Sequence, residues 1–218
     1  MLKEAYKTVY EDGTGEITVK KSRFIAAIHP VETEAAAEEF INAAKKKYWN
    51  ASHNCYAYII DPQNPILRCS DDGEPGKTAG RPMLDVLTAH DLTNLVAVVT
   101  RYFGGTLLGT GGLIKAYQSA VLEGLSHCDI ITKQLGSQIQ ITTDYNQIGK
   151  IQYFVGQDAI PVLSSEYTDT IELNLLVPVT KKESFLKKIT ELTNGSALLK
   201  EIKQVYFTTL DCEVHLFE

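Results

Sequence analysis

The sequence predicts an α+β protein of two domains, the second a ferredoxin-like βαββαβ unit. Three observations lead there. The 218 residues suit one large domain or two small ones, at roughly 100–200 residues each. Up to Thr132, strands and helices alternate with irregular, glycine-rich connections. From Lys133 onward a regular strand and helix rhythm takes over, which sets domains of 1–132 and 133–218 joined near Lys133–Ser137.

In chain order, Gly15–Lys20 and Arg23–His29 are short β-like runs separated by polar residues. Glu32 to Trp49 reads as an amphipathic helix with Thr33 as N-cap, acids in its first turns and Lys45, Lys46 and Lys47 near its end, an order that suits the helix dipole. His53–Ile60 alternates as a strand does and stops at Asp61-Pro62. Ser70 to Gly80 is turn sequence, after which Thr78 can cap a helix through Met83, Leu84, Val86 and Leu87, with Pro82 in its first turn. Leu95–Thr100 is the apolar, β-branched run of a buried strand. A glycine-rich loop follows it, and then a helix from Leu113 to about Ser126. In the second part, strands at Gln138–Thr143, Ala159–Tyr167, Ile171–Val177 and Ala197–Phe207 enclose helices at Tyr145–Val155 and Lys181–Leu192. Asn194-Gly195 ends the last of these helices.

Composition is that of an ordinary globular chain, 44% hydrophobic and 22% charged. No run of roughly 18 apolar residues occurs, so no membrane span is expected. The first ten residues carry Lys3, Glu4 and Lys7 without an apolar core, unlike a signal peptide. The net charge is −6, with 13 basic against 16 acidic residues through Thr132 and 8 against 11 after it. Proteins that coat nucleic acid unselectively are basic, so any RNA contact here must be a local patch. Cys55, Cys69, Cys128 and Cys212 stand 14, 59 and 84 positions apart with no C-x-x-C pair. That spacing points to free thiols without metal, in a cytoplasmic protein.

Chemistry concentrates in two stretches. Arg101-Tyr102-Phe103 leads into five glycines within nine positions, Gly104 to Gly112, between a strand and a helix. Free N–H groups at such a helix start attract anions, and Arg101 and Lys115 add charge. Walker A is absent, and the dinucleotide fingerprint fails because Ile114 stands where its last glycine belongs. The glycines serve packing equally well. The second stretch, Asp71-Asp72-Gly73-Glu74-Pro75, offers carboxylates either to a hard cation or to turns and helix caps, and the caps are the commoner use. His53-Asn54-Cys55 has no partner at metal or dyad spacing.

The strings KSRFIA (Lys21–Ala26), DDGEPGKTAGRPML (Asp71–Leu84) and VVTRYFGGTLLGTGGLIKAY (Val98–Tyr117) together resemble the YigZ/IMPACT family over about residues 1–132. The third is the most specific. The βαββαβ tail is similar to the second domain of the bacterial branch, and Lys77 departs from the family by replacing a small residue in the turn. The resemblance implies a first domain like domain IV of elongation factor G and ribosomal-protein domains, a tail like that factor's domain V, and a role near translation. Eukaryotic relatives restrain a kinase of translation initiation factor 2 by competing for its ribosome-associated activator. No catalytic residue or cofactor comes with the resemblance.

Three function classes stay open: a non-enzymatic binder of RNA, the ribosome or a ribosome-associated protein; an enzyme acting on a nucleotide or phosphorylated ligand; and a protein-interaction module. For the first, the candidate anion or nucleic-acid surface is Arg101, Tyr102, Phe103, Gly104, Gly105, Gly109, Gly111, Gly112, Lys115 and Arg81. Arg101 is expected to offer its planar fork to phosphate, and Arg101→Ala to leave the fold intact. Of the two rings, one is expected to be buried and the other to lie beside Arg101.

Overall fold

The computed structural model describes residues 2–211 and 213–217, so the expectation of a free thiol at Cys212 lies outside the described residues. The chain divides into two units, Tyr6–Thr132 and Lys133–Glu218 together with Leu2–Ala5.

In the first unit, β2 (Gly13–Val19), β3 (Ser22–Pro30), β4 (His53–Ile60), β5 (Ile66–Ser70) and β6 (Leu95–Tyr102) form an antiparallel sheet in the order β2-β3-β6-β4-β5. Helices α2 (Gly80–Ala89) and α3 (Thr110–Ser126) cover one face, through a core that includes Phe24, Met83, Leu87, Leu95, Val99 and Tyr117. Helix α1 (Glu34–Lys47) covers the other, through Ala37, Ile41, Tyr58, Val96 and Val98. Strand β6 lies in the middle with apolar matter on both faces, and this is why its sequence reads as a continuous apolar run. Thr33 caps α1 as expected, its hydroxyl accepting the Ala36 N–H.

Helix α2 is capped differently from expectation. The Thr78 hydroxyl donates to the Pro75 carbonyl, and the cap is the Asp71 carboxylate, which accepts the N–H groups of Lys77, Ala79 and Gly80 at 2.8–3.0 Å. Helix α3 starts at Thr110, three residues before the expected Leu113, which places Lys115 in its second turn.

In the second unit, α4 (Ile148–Gln157) and α5 (Lys182–Leu192) alternate with β7 (Ile130–Thr143), β8 (Val162–Tyr167), β9 (Ile171–Pro178) and β10 (Leu198–Leu210). The sheet order β10-β7-β9-β8 is the ferredoxin-like arrangement, extended by β11 (Glu213–Phe217) beside β10. Strand β1 (Ala5–Val9) pairs with β7. Ile139, Ile141, Leu175, Ile151 and Ile189 build the core under the two helices. Lys133–Ser137, the expected join, lies within β7.

Candidate functional site

The strand register places the chemistry. Arg101 stands opposite Phe24 on β3 and His53 on β4, so the end of β6, the start of β3 and the start of β4 share one end of the five-stranded sheet. The Asp71–Pro75 turn folds over that end, and the loop from β6 to α3 forms its other wall.

Arg101 is buried rather than open, contrary to the sequence expectation. Its Nη1 donates to Glu74 Oε1 at 2.5 Å, and both side chains are nearly inaccessible, at 6% and 2% exposure. Its guanidinium carbon lies 5.4 Å from the Phe24 ring centre and 5.6 Å from that of Phe103. Tyr117 Oη also donates to Glu74 Oε1, at 2.8 Å, and the Tyr117 ring meets Phe24 edge to face. Burial, then the neighbouring Cys55 and Glu74, hold the Tyr117 phenol far above its usual range. Cys55 Sγ lies 3.3 Å from Tyr117 Oη and 3.0 Å from the Asp71 carbonyl, and burial pushes its thiol up to about 12. That thiol stays protonated and is no nucleophile at neutral pH.

The three turn carboxylates therefore have internal partners. Asp71 caps α2, and Glu74 holds Arg101 and Tyr117. Asp72 accepts from Lys45 Nζ at 2.8 Å and from the Asn54 N–H at 2.7 Å. Its partial burial pushes its carboxyl up, and these two donors outweigh that effect and hold it below the ordinary carboxylate value. Among the described residues no group of three His, Cys, Asp or Glu is arranged to hold a metal ion. Lys77 has φ +64°, a left-handed conformation that glycine adopts more readily.

The glycines differ in what they do. A Cβ on Gly104 would sit 2.0 Å from the carbonyl carbon of Lys21 and 2.4 Å from the Ser22 nitrogen, so only glycine fits there. Gly109, at φ +73°, starts α3 with no side-chain cap. Gly105 is also left-handed, whereas Gly111 and Gly112 lie within the first turn of α3. Arg81 turns to its own helix, where it donates to Asp85. Lys115 is exposed on α3.

Two surfaces result. One is a cleft of about 500 Å³, floored by Glu74, His53 and Arg101 and walled by Phe103, Leu107 and Leu108. The other is a rim of cations and aromatic rings. Lys20 and Lys21 form the two-residue turn between paired Val19 and Ser22, both left-handed at φ +46° and +66° and both exposed. Arg23, which also pairs with Glu16, lies 6.0 Å from the Tyr102 ring centre, and Tyr102 Oη donates to Asn50. Trp49, beside Asn50, is 81% exposed. Phe103 is half exposed and is the ring beside Arg101, as expected, but Tyr102 is only half-buried rather than covered. Sequence reasoning missed the partner role of Glu74, the cleft position of His53, and Lys20 and Trp49. The KSRFIA string did contain Lys21 and Arg23.

Comparison with known proteins completes the picture. The Impact N-terminal domain family matches residues 20–125, and a domain of unknown function (DUF1949) matches 141–196. The chain is 43% identical over 202 residues to IMPACT family member YvyE of Bacillus subtilis, covering 93% of each. It is 34% identical over 188 residues to IMPACT family member YigZ of Escherichia coli, covering 85% of this chain and 92% of that one. A crystal structure of a hypothetical protein superposes with a TM-score of 0.60 at 32% identity, covering 93% of this chain and 99% of that one. With both domain models matched in order and such relatives aligned over most of its length, the chain belongs to the IMPACT family.

Proposed function

We propose that the protein is a non-enzymatic, translation-associated regulator that binds RNA, alone or within the ribosome, through the rim at one end of the five-stranded sheet. The observation that carries this reading is the interleaving of exposed cations and rings. Lys20, Lys21, Arg23, Trp49, Tyr102 and Phe103 gather there on a chain of net charge −6. Aromatic faces stack on bases whatever their sequence, while cations track the backbone. Adjacent left-handed lysines in a two-residue turn, where Asn-Gly is the usual choice, are a conformational cost that a contact role explains. The role near translation implied by the family resemblance agrees with this reading. Catalysis on a nucleotide has less support, since the turn carboxylates have internal partners and the Cys55 thiol is held protonated.

Trp49→Ala tests the reading, because the ring is exposed and its removal leaves the core alone. Single-stranded RNA binding followed by fluorescence anisotropy is expected to weaken about tenfold, within the range of one lost stacking contact, with an unchanged melting temperature. An unchanged affinity would count against the rim.

A further inference from the structure

The cleft has features that a phosphate-binding rim does not require. We infer that it takes one unpaired guanine base of a bound RNA, an inference that rests on the RNA-binding reading above. His53 Nδ1 lies 2.9 Å from the Asp72 carbonyl oxygen. A carbonyl only accepts, so Nδ1 carries a proton, and when the ring is neutral Nε2 is therefore an acceptor. That Nε2 sits 3.9 Å from Glu74 Oε1 and lines the cleft. Glu74 Oε1 is occupied by Arg101 and Tyr117, while Oε2 receives no donor among the described residues. The floor of the cleft therefore presents two neighbouring acceptors.

Of the four bases, only guanine carries two adjacent N–H donors, N1–H and N2–H, on its Watson–Crick edge. Uracil places its one N–H between two carbonyls. Adenine and cytosine set a bare ring nitrogen beside the amine, and that nitrogen would face the carboxylate. Phe103 supplies the stacking surface, with Arg101 against one side of its ring and 49% of the residue exposed. A cleft of about 500 Å³ admits a splayed-out base but not a duplex, and unstacked bases are what proteins read in RNA.

The test uses the whole protein and a series of oligouridine strands with one central substitution, read by fluorescence anisotropy. The guanosine strand is expected to bind about tenfold more tightly than the inosine strand, which lacks only the N2 amine. The 7-deazaguanosine strand, whose Watson–Crick edge is intact, is expected to match guanosine. His53→Ala is expected to bring the guanosine-to-inosine ratio toward one. Equal binding of all strands would overturn the guanine inference and leave the RNA reading standing. Binding of none would overturn the guanine inference, and with no binding to ribosomes either it would overturn both. Free GMP binding as tightly as the guanosine strand would assign the cleft to a mononucleotide and overturn the inference for RNA.

Discussion

Arg101→Ala is expected to destabilise the protein by about 3–5 kcal/mol, the cost of breaking a buried pair and stranding its partner. Glu74 would keep only the Tyr117 hydroxyl, with its side chain 2% exposed, and the guanidinium packed near Phe24 and Phe103 would leave a void. This reverses the expectation from sequence that the substitution spares the fold. Urea unfolding at pH 7 measures it. The paired change Arg101→Met with Glu74→Leu should recover much of the loss, because it removes both charges and fills the space. A loss below about 1 kcal/mol for Arg101→Ala, the scale of an exposed ion pair, would contradict the buried-pair account. Any loss of RNA binding in Arg101→Ala must be read beside this measurement, since the residue holds the site together from inside.

Gly104→Ala is expected to cost about 3 kcal/mol, at the upper end of overpacking effects. The added Cβ would meet backbone atoms of Lys21 and Ser22 at 2.0–2.4 Å, and no side chain there can rotate away. Relief requires moving the Lys20-Lys21 turn or the end of β6, so the variant should also bind RNA more weakly than its remaining folded fraction accounts for. Thermal unfolding together with anisotropy checks both parts. Unchanged stability would show that the turn yields freely and carries no fixed geometry.

Most of the fold was legible because the strong patterns were those of covered elements. β6 is apolar on both faces, α1 carries its cap and charge order, and the four strands and two helices of the ferredoxin-like unit alternate cleanly. The elements that escaped are short or exposed. β5 is an edge strand with Leu67, Arg68 and Cys69 exposed, and β11 is an edge strand of five residues. Strand β1 has only five residues in which to show an alternation. The change of rhythm near Lys133–Ser137 falls inside β7, since a composition change does not require a break in a strand. At the candidate site, the sequence singled out the two loops that line the cleft but misjudged Arg101. Its partner Glu74 lies 27 positions away, and no local pattern links them. The capping use of Asp71 was legible in kind, since carboxylates in tight turns do cap helices, although the cap acts across eight residues and displaced Thr78 from that role.

The central claim is that the rim meets RNA phosphates, and the salt dependence of binding tests it most directly. For wild type and for the double variant Lys20→Ala, Lys21→Ala, the association constant for single-stranded RNA or ribosomes is measured across a salt series. Each phosphate contact contributes about 0.7 to the slope of log K against log salt for a single strand. The double variant is expected to bind more weakly at low salt and to show a slope shallower by about 1.4, the share of two phosphate contacts. Superimposable lines for the two proteins at every salt concentration would contradict the claim.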